Sequence, residues 1–309
     1  SDERSARHGN RHSCDGMAKA RALERRRRSV RNIRKITRTM ELISTARFKR
    51  AMDRALAASA YTQRLTNVLR HLVQTGIEIR HPLMQPHGEM RNAIVLVLTS
   101  NRGLCGGFNS GILRLAVSHL RSLQSKLERT RVEVSGKRGI SAFKYRRIPI
   151  DERFTHFDAR PQFEDVEKLA VRYWEAFAKG EVDQVDVVYT RFESASRQYP
   201  VVETLLPLSK LNAEEENGPL HAVEYEYLPS PESILEEIVP TAYKMRLFRC
   251  FLESAAAEQI ARMVAMKSAT ENADTMLANL SIAYNRARQT QITSEILEIV
   301  SGAEALEKQ

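Results

Sequence analysis

Two long stretches, Met17 to Thr75 and Thr241 to Ser301, contain neither glycine nor proline, and all ten prolines fall between Pro82 and Pro240. Glycine and proline are the residues that end or break helices, so this punctuation predicts two very long helices around a compact insert. At about 1.5 Å per residue each stretch extends roughly 85–90 Å, several times an ordinary globular helix. No small core covers helices of that length. Their apolar stripes must be buried against each other, against partner subunits, or both.

Charge separates the two helices. Up to Arg80 there are 20 Lys and Arg against 7 Asp and Glu, so the remainder carries a net −3 of the total +10. The basic helix centres on Arg25-Arg26-Arg27-Arg28 and continues through Arg31, Arg34, Lys35, Arg38, Arg47, Lys49 and Arg50. Three readings fit: a solvated face, a nucleic-acid arm, or a surface that docks on acidic protein. Against an all-polar helix, Val30, Ile33, Ile36, Met40 and Ile43 recur at steps of three or four, so one side is expected to be covered. Leu65, Val68, Leu69, Leu72 and Val73 restore a strong apolar face before Gly76 ends the helix. Ser1 to Gly16 is polar and aperiodic, and Met17-Ala18-Lys19 resembles a translation start. The first sixteen residues are therefore expected to be a disordered extension or a cloning remnant.

The second long helix carries a seam. Phe248, Leu252, Ala255, Gln259, Met266, Ala269, Ala273, Met276, Leu280, Ala283, Ala287, Thr290, Ser294 and Leu297 run mostly in alternating steps of four and three. Such spacing drives left-handed coiling, and its small residues imply close backbone approach. The first helix is small-residue rich in its middle, with Ser44, Thr45, Ala46, Ala51, Ala55, Ala57, Ala58 and Ala60. An antiparallel pairing within the chain is favoured over homodimerisation.

Between the helices the period changes. Ala93 to Thr99 is a continuous apolar, β-branched run, expected as a strand buried on both faces. An amphipathic helix through Leu113, Leu120 and Leu127 follows, then a strand at 132–134, helices near 140–145 and 166–178, and a strand at 185–190. Further strand candidates at 201–206 and 223–227 flank the acidic segment 213–219. The alternation gives a small α/β domain with a mainly parallel sheet.

The turn after the first strand holds Gly103, Gly106 and Gly107. Its GxxGG spacing is not GxGxxG, and no GxxxxGK[ST] occurs to supply a phosphate-binding lysine. It reads as a tight strand-to-helix turn needing positive φ and close packing. The eight histidines show no metal-ligand spacing, and Ser100 and Cys105 have no local base. Cys14, Cys105 and Cys250 are scattered, which argues against disulfides and a structural zinc. No catalytic, cofactor or metal site is expected. No apolar run reaches the roughly 20 residues of a membrane span, and no signal peptide is evident, so a cytoplasmic location is expected.

Three motifs carry a specific resemblance. Ile33-Arg34-Lys35-Ile36-Thr37-Arg38-Thr39-Met40-Glu41-Leu42, the run Leu98-Thr99-Ser100-Asn101-Arg102-Gly103-Leu104-Cys105-Gly106-Gly107-Phe108-Asn109, and Tyr284-Asn285-Arg286-Ala287-Arg288-Gln289-Thr290-Gln291-Ile292-Thr293 with Glu298-Ile299-Val300-Ser301-Gly302-Ala303 lie in the right order. From Met17 to the end the chain resembles the gamma subunit of the rotary F-type ATP synthase, bacterial type. The resemblance implies an antiparallel coiled coil of the N- and C-terminal helices with an inserted Rossmann-like α/β domain. The divisions then expected are 1–16 extension, 17–80 first helix, 81–91 linker, 92–228 α/β domain and 229–309 second helix.

The implied role is a central rotating shaft that couples ion flow to ATP chemistry without catalysing it. The implied partners are three alpha and three beta subunits, the epsilon subunit and the membrane c-ring, with one copy of this chain at the cytoplasmic face of the inner membrane. By resemblance, Arg288, Gln289 and Thr293 contact a beta-subunit loop, and Met40, Lys35 and Arg38 face an acidic lever of beta. Tyr225 and Tyr227 belong to the foot that meets the c-ring and epsilon; Leu228 stands where some relatives carry an acidic residue. Cys105 belongs to the shared motif, and no paired regulatory cysteines are present. The alternative is a basic coiled-coil nucleic-acid-binding protein using Arg25 to Arg28. It leaves the C-terminal motif unexplained, and the basic helix lacks aromatics for base stacking. An enzyme built on the α/β insert would need a nucleotide at Gly103 to Gly107.

Overall fold

The computed structural model describes residues 3–74, 82–83, 88, 90–157, 160–208 and 231–307. Helix α1 is Glu3–Gln74 and helix α5 is Pro231–Glu307. Between them lie β1 (Asn92–Leu98), α2 (Phe108–Gln124), β2 (Arg129–Ser135), α3 (Lys137–Tyr145), β3 (Glu152–Phe154), α4 (Phe163–Ala178), β4 (Gln184–Ser194) and β5 (Arg197–Leu206). The chain divides into two compact units. One joins the residues up to Leu42 with those from Ala265; the other is Ile43–Val264.

The α/β unit is built on one five-stranded sheet of order β3-β2-β1-β4-β5. β1 pairs in parallel with β2 and β4, β2 with β3, and only β4 with β5 is antiparallel. Alternation along β1 sends its side chains to two cores, as a strand buried on both faces requires. Ile94, Leu96 and Leu98 face α4 and α5, where Tyr173, Phe177, Tyr243, Leu247 and Phe251 are buried. Ala93, Val95 and Val97 face α2 and α3, against Ile112, Ala116, Leu120 and Phe143. In the same unit α1 and α5 run antiparallel: Ala51 meets Ala256, while Ala55 and Ala58 meet Leu252 with Phe248 and Met245. Alanines here permit the close approach that the small-residue run implied.

The other unit is a two-helix antiparallel pair. Val30 packs with Ala273, Leu277 and Leu280, and Thr270 Oγ1 donates to Thr37 Oγ1 at 2.8 Å. Arg34 pairs with Asp274, and the Arg27 guanidinium lies 4.7 Å from the Tyr284 ring centroid. As the α1 number rises the α5 number falls, which fixes the antiparallel sense. On α5 positions 266, 270, 273, 277, 280, 284, 287, 291 and 294 are all buried or half-buried, an alternation of fours and threes, with 265, 269, 281 and 295 half-buried beside them.

Several expectations need correction. The α5 seam shares Met266, Ala273, Leu280, Ala287 and Ser294 with the expected one, but Met276, Ala283, Thr290 and Leu297 are exposed and Ala269 is only half-buried. Thr270, Leu277, Tyr284 and Gln291 hold those places; Thr270 and Tyr284 do so through a hydroxyl and a cation-π contact across the seam, which an apolar count passes over. On α1, Val30 is buried, whereas Ile33, Ile36 and Ile43 are 50%, 59% and 47% exposed. The stripe expected to be covered therefore lies off the helix-pair seam. Helix α1 starts at Glu3, inside the stretch expected to be a disordered extension. That stretch contains no proline, and its Glu, Arg and Ala are good helix formers. α5 begins at Pro231, before the proline-free stretch, with proline at its permissive first position and Pro240 inside. β3 was not expected, and the strand candidate 223–227 lies outside the described residues.

Candidate functional site

The residues marked out as partner contacts all lie on the helix-pair unit, except the two tyrosines. Lys35 and Arg38 are exposed on α1, with Arg38 Nη1 donating to Glu41 Oε1 at 2.8 Å, and Met40 is half-buried. Arg288, Gln289 and Thr293 are exposed on α5, and Thr293 Oγ1 donates back to the Gln289 carbonyl at 3.0 Å. These two groups do not converge. Thr37 sits opposite Thr270, so Arg288 lies about 27 Å further along α5 at 1.5 Å per residue. They form two separate belts on the helices. Tyr225 and Tyr227 lie outside the described residues.

Apolar side chains surround both belts. Ile33, Ile36 and Leu42 are exposed on α1, and Ile282, Ile292, Ile296, Leu297, Ile299 and Val300 on α5, with Ile299 71% exposed. Scattered exposed leucines are ordinary, but a concentration of aliphatic residues on one short helix stretch marks a surface made for a partner. The sequence reading passed over Ile282 and Ile296, whose signal was present as aliphatic residues outside the four-three rhythm.

The glycine-rich turn is turned inward. Ser100 N–H donates to Asn109 Oδ1 at 3.0 Å, and Asn109 Nδ2 donates to Ser100 Oγ at 2.8 Å and to Cys105 Sγ at 3.1 Å. Asn101 Nδ2 donates to the Thr155 and Phe157 carbonyls while its Oδ1 accepts the Lys137 N–H. Arg262 of α5 donates to the carbonyls of Gly103 at 3.3 Å and Arg102 at 3.4 Å, and to Glu258 at 2.6 Å. The turn thus spends its polar groups on holding α5 and the neighbouring loops. Positive φ occurs at Gly106 and at Leu104, not at all three glycines. The tightest approach is at Gly136, φ +99°, where an added Cβ would lie 2.1 Å from the Thr99 carbonyl oxygen.

One buried ionic centre fastens α5 to the sheet. Glu203 of β5 accepts from Arg246 and Arg249 of α5 at 3.1 and 3.0 Å, and from Arg191 and Tyr189 of β4 at 3.0 and 2.7 Å. Burial pushes the Glu203 carboxyl upward, but the Arg249 and Arg246 charges, the Tyr189 hydrogen bond and Arg191 outweigh it and hold the group at about 2. Burial raises Glu253, Glu133 and the Cys250 thiol, the first two against neighbouring arginine charges. A buried thiol with a raised pKa is chemically quiet. Among the described residues no His, Cys, Asp and Glu group is arranged to hold a metal ion.

An antiparallel helix pair with outward aliphatic and basic surfaces, carried by the same chain as a tightly fastened α/β unit, defines a long-helix α/β protein with large apolar faces left open. Residues 19–306 match the model of the family described as ATP synthase. The ATP synthase gamma chain of Rhodopirellula baltica is 52% identical over 295 residues, covering 94% of this chain and all of that one. The gamma chain of Leptospira biflexa is 39% identical over 292 residues with the same coverage. The chain therefore belongs to the ATP synthase family, on the branch of the bacterial gamma chains. In fold it is similar to a chain of the Euglena gracilis mitochondrial ATP synthase OSCP/F1/c-ring assembly, with TM-score 0.60, 16% identity, and coverage of 94% of this chain and 95% of that one. A chain of the Tetrahymena thermophila central stalk/c-ring gives 0.54 at 20% identity, covering 76% of this chain and 99% of that one. The comparisons lend no support to the nucleic-acid reading of the basic helix. No described helix is long and apolar enough to cross a membrane.

Proposed function

We propose that this chain is the central rotating shaft of an F-type ATP synthase, coupling ion flow through the membrane c-ring to ATP synthesis or hydrolysis in the alpha/beta ring. The observation that carries the reading is the belt of exposed aliphatic residues on α5 from Ile282 to Val300, which has no use in an isolated chain. The chain contributes no bond-breaking group. It acts by presenting different faces to three beta subunits in turn, and such a contact shifts a conformational equilibrium only by the difference in its free energy between the two states.

In this reading Arg288, Gln289 and Thr293 hydrogen-bond a beta-subunit loop, and Met40, Lys35 and Arg38 meet the acidic lever of beta. Exposed ion pairs of that kind contribute about 0.2–1 kcal/mol each, so they guide and grip collectively. Tyr225 and Tyr227 meet the c-ring and epsilon at the foot. One copy serves three alpha and three beta subunits, peripherally, at the cytoplasmic face of the inner membrane.

Co-expression with the host's alpha and beta subunits tests this. A large ATP-hydrolysing complex with one copy of the chain is expected, and an Arg288→Ala, Gln289→Ala double variant should lower its activity. Failure to assemble, with salt-sensitive nucleic-acid binding instead, would restore the alternative.

A further inference from the structure

A cavity of about 290 Å³ in the α/β unit is lined by Arg47, Arg50, Ala51 and Arg54 of α1, Arg160 and Pro161 before α4, and Leu252 and Ala255 of α5. That volume is at the lower edge of small-molecule sites, roughly 300–1,000 Å³. Arg47, Arg50 and Arg54 follow steps of three and four, so one helix face presents all three guanidinium groups to the same space. All four arginines are exposed to solvent, and like charges so placed repel unless a carboxylate is interleaved. None is provided: among the described residues Arg47, Arg50, Arg54 and Arg160 make no ion pair, and Asp53 pairs with none of them. Arg50 Nε makes only a 3.3 Å bond to the Ala46 carbonyl of its own helix. By contrast Arg246, Arg249 and Arg262 of the same unit are all matched to carboxylates.

We propose that this cavity binds a multiply charged phosphate anion, either inorganic pyrophosphate or the phosphate end of a nucleotide. Guanidinium forks match phosphate oxygens two at a time, and four forks around one space suit an anion carrying several charges. The floor of Ala51, Pro161, Leu252 and Ala255 is apolar, which gives a nucleotide's non-phosphate part a surface to rest on. The site is separate from the Arg288 and Lys35 belts and plays no part in the contacts assigned to them.

Equilibrium dialysis of the full chain with radiolabelled pyrophosphate, and in a parallel arm with ADP, tests the assignment. The expected result is saturable binding at one site that weakens steeply with salt. An Arg50→Ser, Arg54→Ser variant should lose at least tenfold in affinity. Removal of the same charge by Arg25→Ser, Arg26→Ser on the other unit should leave binding unchanged, with circular dichroism confirming that both variants fold. Tighter ADP than pyrophosphate binding assigns a nucleotide; equal binding assigns the inorganic anion. Non-saturable binding, or equal losses in the two variants, would overturn the site. Competition only by an acidic peptide, with neither phosphate compound bound, would overturn it as well and assign the arginines to a protein partner.

Discussion

The helix-pair unit and the α/β unit solve the burial problem in opposite ways. The α/β unit encloses Tyr173, Tyr189, Tyr243, Phe143 and Phe177 completely and matches its buried charges within the chain. Among the described residues the buried apolar side chains of the helix pair are Ala20, Val30, Met266, Ala273 and Leu280, while its isoleucines face outward. Hydrophobic stabilisation follows the apolar area removed from water, so the α/β unit holds its own fold and the helix pair depends on what covers it. The difference separates a unit whose core is closed within itself from one whose apolar faces are left open.

Breaking the α/β side of that contrast should have the largest effect. Glu203→Leu leaves the buried Arg246 and Arg249 and the half-buried Arg191 without their shared carboxylate, and a loss of about 3–5 kcal/mol is expected in denaturant unfolding. The pH dependence follows from the same group. The folded-state pKa of Glu203 is depressed to about 2 from 4.5, so its contribution is present above 4.5 and is lost as pH falls toward 2. Glu133 and Glu253 are raised and act with the opposite sign, costing stability as pH rises through their unfolded value. Acid titration of Glu203→Gln should therefore show a smaller loss between pH 4.5 and 2 than the parent. Next in size is Gly136→Ala, which sets a Cβ against the Thr99 carbonyl at positive φ; about 1–3 kcal/mol is expected, read from the shift in midpoint.

On the helix pair the effects should be smaller. Thr37→Val removes the cross-seam hydroxyl contact to Thr270 and should cost about 1 kcal/mol. Adding Thr270→Val should cost little more, and a double-mutant cycle reads that coupling. The smallest effect is expected for Arg288→Ala with Gln289→Ala: both are exposed, and stability should stay within about 0.5 kcal/mol even though the activity of the assembled complex falls. A large stability loss there would erase the contrast between the units.

How much of this was legible in the sequence follows the same division. The β1 run, the α2 and α4 periodicity and the paired helices could be read because dense apolar patterning leaves one solution. The phase of the α5 seam was legible at Ala273 and Leu280 but not at Thr270 and Tyr284, whose burial rests on contacts with Thr37 and Arg27 across the pair. The α1 stripe at Ile33 and Ile36 was expected to be covered and is half or more exposed, since periodicity states that a face is apolar and not what it meets. The Glu203 centre escaped altogether, because its three arginines come from two distant segments that only the fold brings together.

Hydrogen exchange of the chain alone and assembled with alpha and beta subunits tests the central claim most directly. The account predicts that the free chain protects β1, β4 and the core-facing residues of α5 strongly, and exchanges quickly along α1 before Leu42 and α5 beyond Ala265. Assembly should then slow those helix-pair amides and leave the sheet unchanged. A helix pair as protected when free as when assembled would contradict the claim that its surface exists to be covered.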